Sequence, residues 1–241
     1  MLMDNLNRTT NRDYVYFIDG GDFLNTYPYP LLDNAIIDIY NKLNLTFLAL
    51  GDQEWIDDVK IDQRVFTSLK DKIIAGNYTI PGYNFKSYGK INLSNGKNAF
   101  ILSYLDKNAF YVDKDLENIK FNDTGFTAEY NNLSKSDNLI ILIYHGTKKI
   151  LNRIIQDYPA IDLILFAHEQ NNNYDIDNRP AVVGGGSDGE YVKSVKIYGD
   201  GAGYKYTVES IPVSAGLKGD EKISRIVDEF RTADEAQTDG N

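Results

Sequence analysis

The chain has two histidines, and each ends a run of residues suited to a buried strand. His145 closes Leu139-Ile140-Ile141-Leu142-Ile143-Tyr144, and His168 closes Ile161-Asp162-Leu163-Ile164-Leu165-Phe166-Ala167. Two carboxylates take equivalent places upstream: Asp22 follows Tyr14-Val15-Tyr16-Phe17-Ile18, and Asp52 follows Leu45-Thr46-Phe47-Leu48-Ala49-Leu50. Functional groups of open α/β sheets gather outside the carboxyl ends of their strands. Neighbouring strands lie about 4.8 Å apart, so loops at those ends can share one ion. Oxygen and imidazole donors suit a divalent transition metal such as manganese, zinc or iron. Each residue also has an ordinary structural reading, since aspartate is common in turns and a single histidine is commonly a hydrogen-bonded core residue. Two histidines in one β-α-β unit, with none elsewhere, shift the balance to a metal site built from Asp22, Asp52, His145 and His168.

Other candidates carry less. Gly184-Gly185-Gly186-Ser187 lacks the Lys-Ser/Thr pair and the following helix of a phosphate-binding loop. No serine stands in a nucleophile-elbow pattern. Tyr27, Tyr29 and Trp55 follow strands, where aromatic side chains more often pack than bind.

The elements that must position the four donors follow from periodicity. Strands are expected at 14–18, 45–50, 99–105, 139–144, 161–167, 181–183, 191–198 and 204–212. Leu32, Ala35, Ile36, Ile39 and Leu43 share a face and predict a helix over 31–43. Further helices are expected at about 60–74, 147–157 and 220–231, with a short one in the polar stretch 113–137. A weak amphipathic pattern runs to about residue 12, and Tyr78–Val112 alternates strand runs with turns such as Ser94-Asn95-Gly96-Lys97. This order suggests two packed sheets flanked by helices.

Composition narrows the function. A net charge of −10 and the absence of a basic stripe argue against nucleic acid as a partner. Absent cysteine removes disulfides, thiolate metal sites and cysteine nucleophiles, and fits either side of a membrane. No run approaches the roughly 18 apolar residues of a membrane span, and the first residues lack the order of a signal peptide.

Four motifs now occur in order: Phe17-Ile18-Asp19-Gly20-Gly21-Asp22, Leu50-Gly51-Asp52-Gln53-Glu54, Tyr144-His145-Gly146 and Ala167-His168-Glu169-Gln170. Together with Val183-Gly184-Gly185-Gly186-Ser187-Asp188-Gly189-Glu190-Tyr191 they resemble the calcineurin-like metallophosphoesterases, most closely the N-terminal domain of the 5′-nucleotidase branch. The resemblance covers about residues 10–212 and implies a four-layer α/β/β/α sandwich that hydrolyses phosphoesters with two metal ions. In that pattern Asp22 is the bridging carboxylate, Asp52 replaces an asparagine, and His145 and His168 are the histidines of the second metal. The first metal fares worse. Its Asp-x-His strand belongs upstream of a connecting helix, yet the 21 residues before Asp22 read as that helix and one strand, so the first strand is expected to be missing. Gln53 stands at the catalytic histidine position, and Gln170, at most a weak ligand, at a first-metal histidine. Neither glutamine can shuttle a proton near neutral pH.

The resulting expectation is a domain over 1–212 followed by a linker-like helix and polar tail over 213–241, the helix carrying Ile223–Phe230. The leading function is a degenerate metallophosphoesterase-like pseudoenzyme, a binding or assembly module with one divalent ion. An active 5′-nucleotidase-type phosphohydrolase and a purely structural module without metal are the alternatives. The resemblance also implies a longer parent or a protein partner supplying the first strand and a C-terminal nucleoside-binding domain. Extracytoplasmic placement, periplasmic or secreted, is common in that branch.

Overall fold

A computed structural model describes residues 15–25, 27, 29–55, 59–93, 96–111, 116, 119–135, 137–170, 172–199, 203–214, 216 and 218–238, with backbone alone at 59–62. The amphipathic pattern up to residue 12, and with it the expected missing first strand, lies outside the described residues.

The largest sheet has six strands in the order β4 (Tyr88–Asn92), β5 (Asn98–Leu105), β7 (Leu139–Gly146), β8 (Leu163–His168), β10 (Ala181–Gly184) and β9 (Tyr174–Asp175). The four central strands run parallel, and β4 and β9 pair antiparallel at the edges. Against it lie two smaller units. One pairs β1 (Ile18–Asp19) parallel to β2 (Phe47–Leu48) and continues through bridges at Leu48–Ile73 and Ile74–Lys86. The other is the hairpin of β11 (Tyr191–Gly199) and β12 (Tyr204–Pro212). A short pair, β3 (Tyr78–Thr79) and β6 (Lys120–Phe121), completes the strands.

Side-chain alternation explains the layering. On β7, Leu139, Ile141 and Ile143 face a core shared with Phe47, Ala49, Val195, Ile197 and Val208 of the smaller units. Ile140, Leu142 and Tyr144 face the opposite side, where Phe126 and Leu133 of α3 (Asp123–Leu133) and Leu151 and Ile154 of α4 (Lys148–Asp157) cover them. A third core packs Leu48 and Leu50 under Ile37 of α1 (Pro30–Lys42) and Val65 and Phe66 of α2 (Val59–Ser68). Helix, sheet, sheet, helix is the expected four-layer α/β sandwich. A strand buried on both faces must be apolar at every position, which is why 139–144 reads as a continuous run.

Several boundaries move. The expected strand at 45–50 pairs regularly only at Phe47–Leu48, although Thr46 still donates to the Phe17 carbonyl just before β1 and Ala49 to the Asp19 carbonyl within it. The expected helix over 60–74 ends at Ser68, because Ile73 and Ile74 enter bridges instead. The last helix, α5, runs over Glu221–Thr238 and packs against α1, with the Phe230 ring edge-on to Tyr29 at 6.2 Å.

Candidate metal centre

Asp22, Asp52, His145 and His168 meet at one rim of the sandwich, where one donor atom from each lies within 4.8 Å of all the others. Two follow strands of the small parallel pair and two belong to the ends of β7 and β8, so each sheet contributes half the cluster. His145 continues the alternation of Ile141 and Ile143 and therefore points between the sheets. His168 follows Phe166 and by alternation would turn away. Its backbone adopts φ of 80°, which breaks the alternation and returns the imidazole to the cluster. Asp22 is likewise left-handed, at φ of 61°. Non-glycine residues in this region are uncommon and gather at functional sites.

The donors are close enough to share an ion. His145 Nε2 lies 3.1 Å from Asp52 Oδ1 and 3.3 Å from Asp22 Oδ1. His168 Nδ1 lies 2.9 Å from Asp52 Oδ1 and 3.7 Å from Asp22 Oδ2. Tetrahedral donors about 2.1 Å from a metal are separated by roughly 3.4 Å, within the spread seen here. His145 Nδ1 lies 2.8 Å from the Gly20 carbonyl and donates to it, which leaves Nε2 as the donor facing the carboxylates. His168 Nδ1 is buried without a well-angled hydrogen bond, although a carboxylate oxygen is near. Gly51 keeps the space clear: a Cβ there would stand 2.2 Å from Asp22 Oδ1 and 2.4 Å from His145 Cε1. A buried imidazole nitrogen facing the carboxylates, a glycine cradle and an Asp₂His₂ donor set together fit a divalent cation.

Charge is concentrated at this rim. Burial disfavours the imidazolium of His145, but Asp22 and Asp52 outweigh it and push the group up to about 10. The same carboxylates raise His168 to about 9 against a smaller effect of burial. Burial opposes ionisation of Asp22 and Asp52, and the two imidazoles nevertheless hold both below the usual carboxylate range.

Glu54, within a quoted motif but without an assigned role, proves to be the strut of the site. Its fully buried carboxylate accepts from the backbone N–H groups of Gly51 at 2.6 Å, Phe23 at 2.7 Å, Asp22 at 3.0 Å and Leu24 at 3.2 Å. Burial and the Asp22 charge push it up to about 8, while the N–H groups favour the anion. Asp19 is a second strut, accepting from Tyr40 Oη and from the Gly21 N–H, each at 2.9 Å. The Gln53 backbone donates to Asp22 Oδ1 at 3.1 Å, and Gln170 is exposed on the loop after β8. Trp55 is buried against Phe66 and Tyr78, as packing predicts, and Tyr27 is exposed. In the glycine loop, Gly184 and Gly185 donate to Asn173 and Phe166 carbonyls and so bind the strands rather than a phosphate.

Known structures share this architecture. The chain superposes on the Thermus thermophilus sulfate thiohydrolase SoxB with a TM-score of 0.80 at 14% identity, covering 98% of this chain and 46% of that one. Against the Haemophilus influenzae NAD nucleotidase NadN the TM-score is 0.76 at 16% identity, with 97% and 53% covered. Against the Bacillus subtilis calcineurin-like phosphoesterase YfkN it is 0.63 at 15% identity, with 95% and 87% covered. No protein-family model and no curated protein matches the chain. The fold is thus that of the calcineurin-like phosphoesterases and 5′-nucleotidases, as the motif order suggested, and the chain spans about half the length of SoxB and NadN. No helix among the described residues is long and apolar enough to cross a membrane.

Proposed function

We propose that this domain is a degenerate metallophosphoesterase-like module that holds one divalent ion through Asp22, Asp52, His145 and His168 and binds an oxyanion there. The observation that carries the reading is the convergence of these four donors within 4.8 Å, while glutamines stand at 53 and 170. A bound divalent ion supplies positive charge and Lewis acidity to an anionic oxygen. The residues supply the rest. Gly20 fixes the His145 tautomer, Glu54 holds the loops carrying Asp22 and Asp52, and Asp52 adds a second negative charge to balance the cation. Gln53 offers no titrating proton to a leaving group, and loss of a general acid typically slows such chemistry by about 10²–10⁴-fold. Binding or assembly with a partner protein or a further domain suits such a site better than turnover.

Elemental analysis tests the count, with about one manganese, zinc or iron per chain expected and loss of it in His145→Ala or His168→Ala. Two ions per chain would sink the single-site reading. Turnover of an aryl phosphate at about 1–10³ s⁻¹, abolished by Asp22→Asn, would replace it with a working phosphohydrolase.

A further inference from the structure

One residue at the mouth of the cluster has no packing role among the described residues. Tyr111 is 87% exposed, yet its ring stands 6.4 Å from that of His168, tilted by 39°. Single exposed aromatics are ordinary on protein surfaces. This one differs in being held beside the donors by a braced turn. The Asp106 N–H donates to the carbonyl of His145 itself, at 2.8 Å. The Asp106 carboxylate then accepts from Asn108 N at 2.9 Å, Asn108 Nδ2 at 2.7 Å and Thr147 Oγ1 at 2.9 Å. Ala109 N closes the turn on the Asp106 carbonyl at 2.9 Å, and Phe110 anchors the following residue in a core. The backbone leading to Tyr111 is therefore tied to the strand that carries His145, and the ring is presented to solvent beside His168.

We infer that Tyr111 is the ring-binding wall of this site, and that its ligands are oxyanions carried directly on a planar aromatic group, of the aryl phosphate class. The inference rests on the proposed ion site, which would hold the anionic end. A planar group projecting outward from that end meets the tyrosine ring, whereas an aliphatic group offers it no flat face. Offset ring contacts of this kind are worth a factor of about three to ten in affinity.

The test uses the full chain loaded with one equivalent of zinc, and dissociation constants for phenyl phosphate, glycerol phosphate and inorganic phosphate by calorimetry. Phenyl phosphate is expected to bind about three- to tenfold more tightly than glycerol phosphate. Tyr111→Phe keeps that preference, and Tyr111→Ala erases it with zinc content unaltered. Equal affinity for the two esters, a preference that survives Tyr111→Ala, or zinc uptake with no ester binding overturns the role of Tyr111 and leaves the ion site standing. A chain that takes up no zinc overturns the ion site and this inference together.

Discussion

Uptake of one divalent ion near neutral pH is expected to expel about two protons. In the metal-free protein His145 is pushed up to about 10 and His168 to about 9, so both imidazoles are protonated at pH 7.5. Asp22 and Asp52 are held below the usual carboxylate range and bring no proton to lose. A coordinating imidazole must be neutral, so each histidine gives up roughly one proton as the ion enters. Affinity should accordingly rise about a hundredfold per pH unit between pH 6 and 8, with the dependence halving in logarithm once pH passes the lower of the two groups. Calorimetric titration of zinc in two buffers of different ionisation enthalpy reads the proton count directly. His168→Ala should bring it down to about one and weaken the ion. Release of less than one proton by the parent, or a count unchanged in His168→Ala, would show that the imidazoles are not charged partners of the carboxylates.

Three further outcomes follow from the same geometry. The raised imidazoles stabilise the metal-free fold fully below their unfolded value of about 6.5, and that contribution is lost as pH rises through the folded values of about 9 and 10. The metal-free melting temperature should therefore fall from pH 6.5 to 9, and a flat profile would contradict the ion pairing. Gly51→Ala places a Cβ 2.2 Å from Asp22 Oδ1 and 2.4 Å from the ring of fully buried His145, so zinc binding should weaken at least about tenfold, by calorimetry. Binding equal to the parent's would show that the cradle is not needed. Glu54→Gln sets an amide NH₂ against two of the four backbone N–H groups; thermal denaturation should show a loss of about 1–3 kcal/mol, or roughly 3–10 °C in a domain of this size. A shift under 1 °C would remove Glu54 as the strut.

Asp22, Asp52, His145 and His168 stand out in the sequence as candidates because each follows or ends a largely apolar run, and the structure brings the four side chains together. Strands buried on both faces need uninterrupted apolar residues, and the polar side chains in the loop just past such a run mark the rim where sites form. Pairing between sheets was not legible, because periodicity fixes which face a residue takes and says nothing about which strand covers it. The end of α2 is hidden for a related reason: Leu69, Ile73 and Ile74 are fully buried, and a turn with bridges hides them as well as a helical face would. The role of Glu54 leaves no trace in the sequence because its partners are backbone N–H groups, which have no residue-type pattern. The left-handed backbone of His168 was equally hidden, since only glycine announces that conformation by its identity.

The division of donors between the sheets bears on what the site does. Asp22 and Asp52 hang from the small parallel pair, and His145 and His168 from the six-stranded sheet, with a dry core of Phe47, Ile141, Ile143 and Leu163 beneath them. Two carboxylates and two neutral imidazoles balance one divalent charge, so an ion held there leaves no net charge at the rim. Without the ion the same edge is closed by the carboxylate–imidazolium pairs, so the ion would take the place of two protons and leave the charge balance unchanged. At 53 and 170 the side chains are neutral amides, which offer no titrating proton beside the cluster. The glutamines at 53 and 170 and the tyrosine at 111 are thus the residues on which the proposed binding role would be tested.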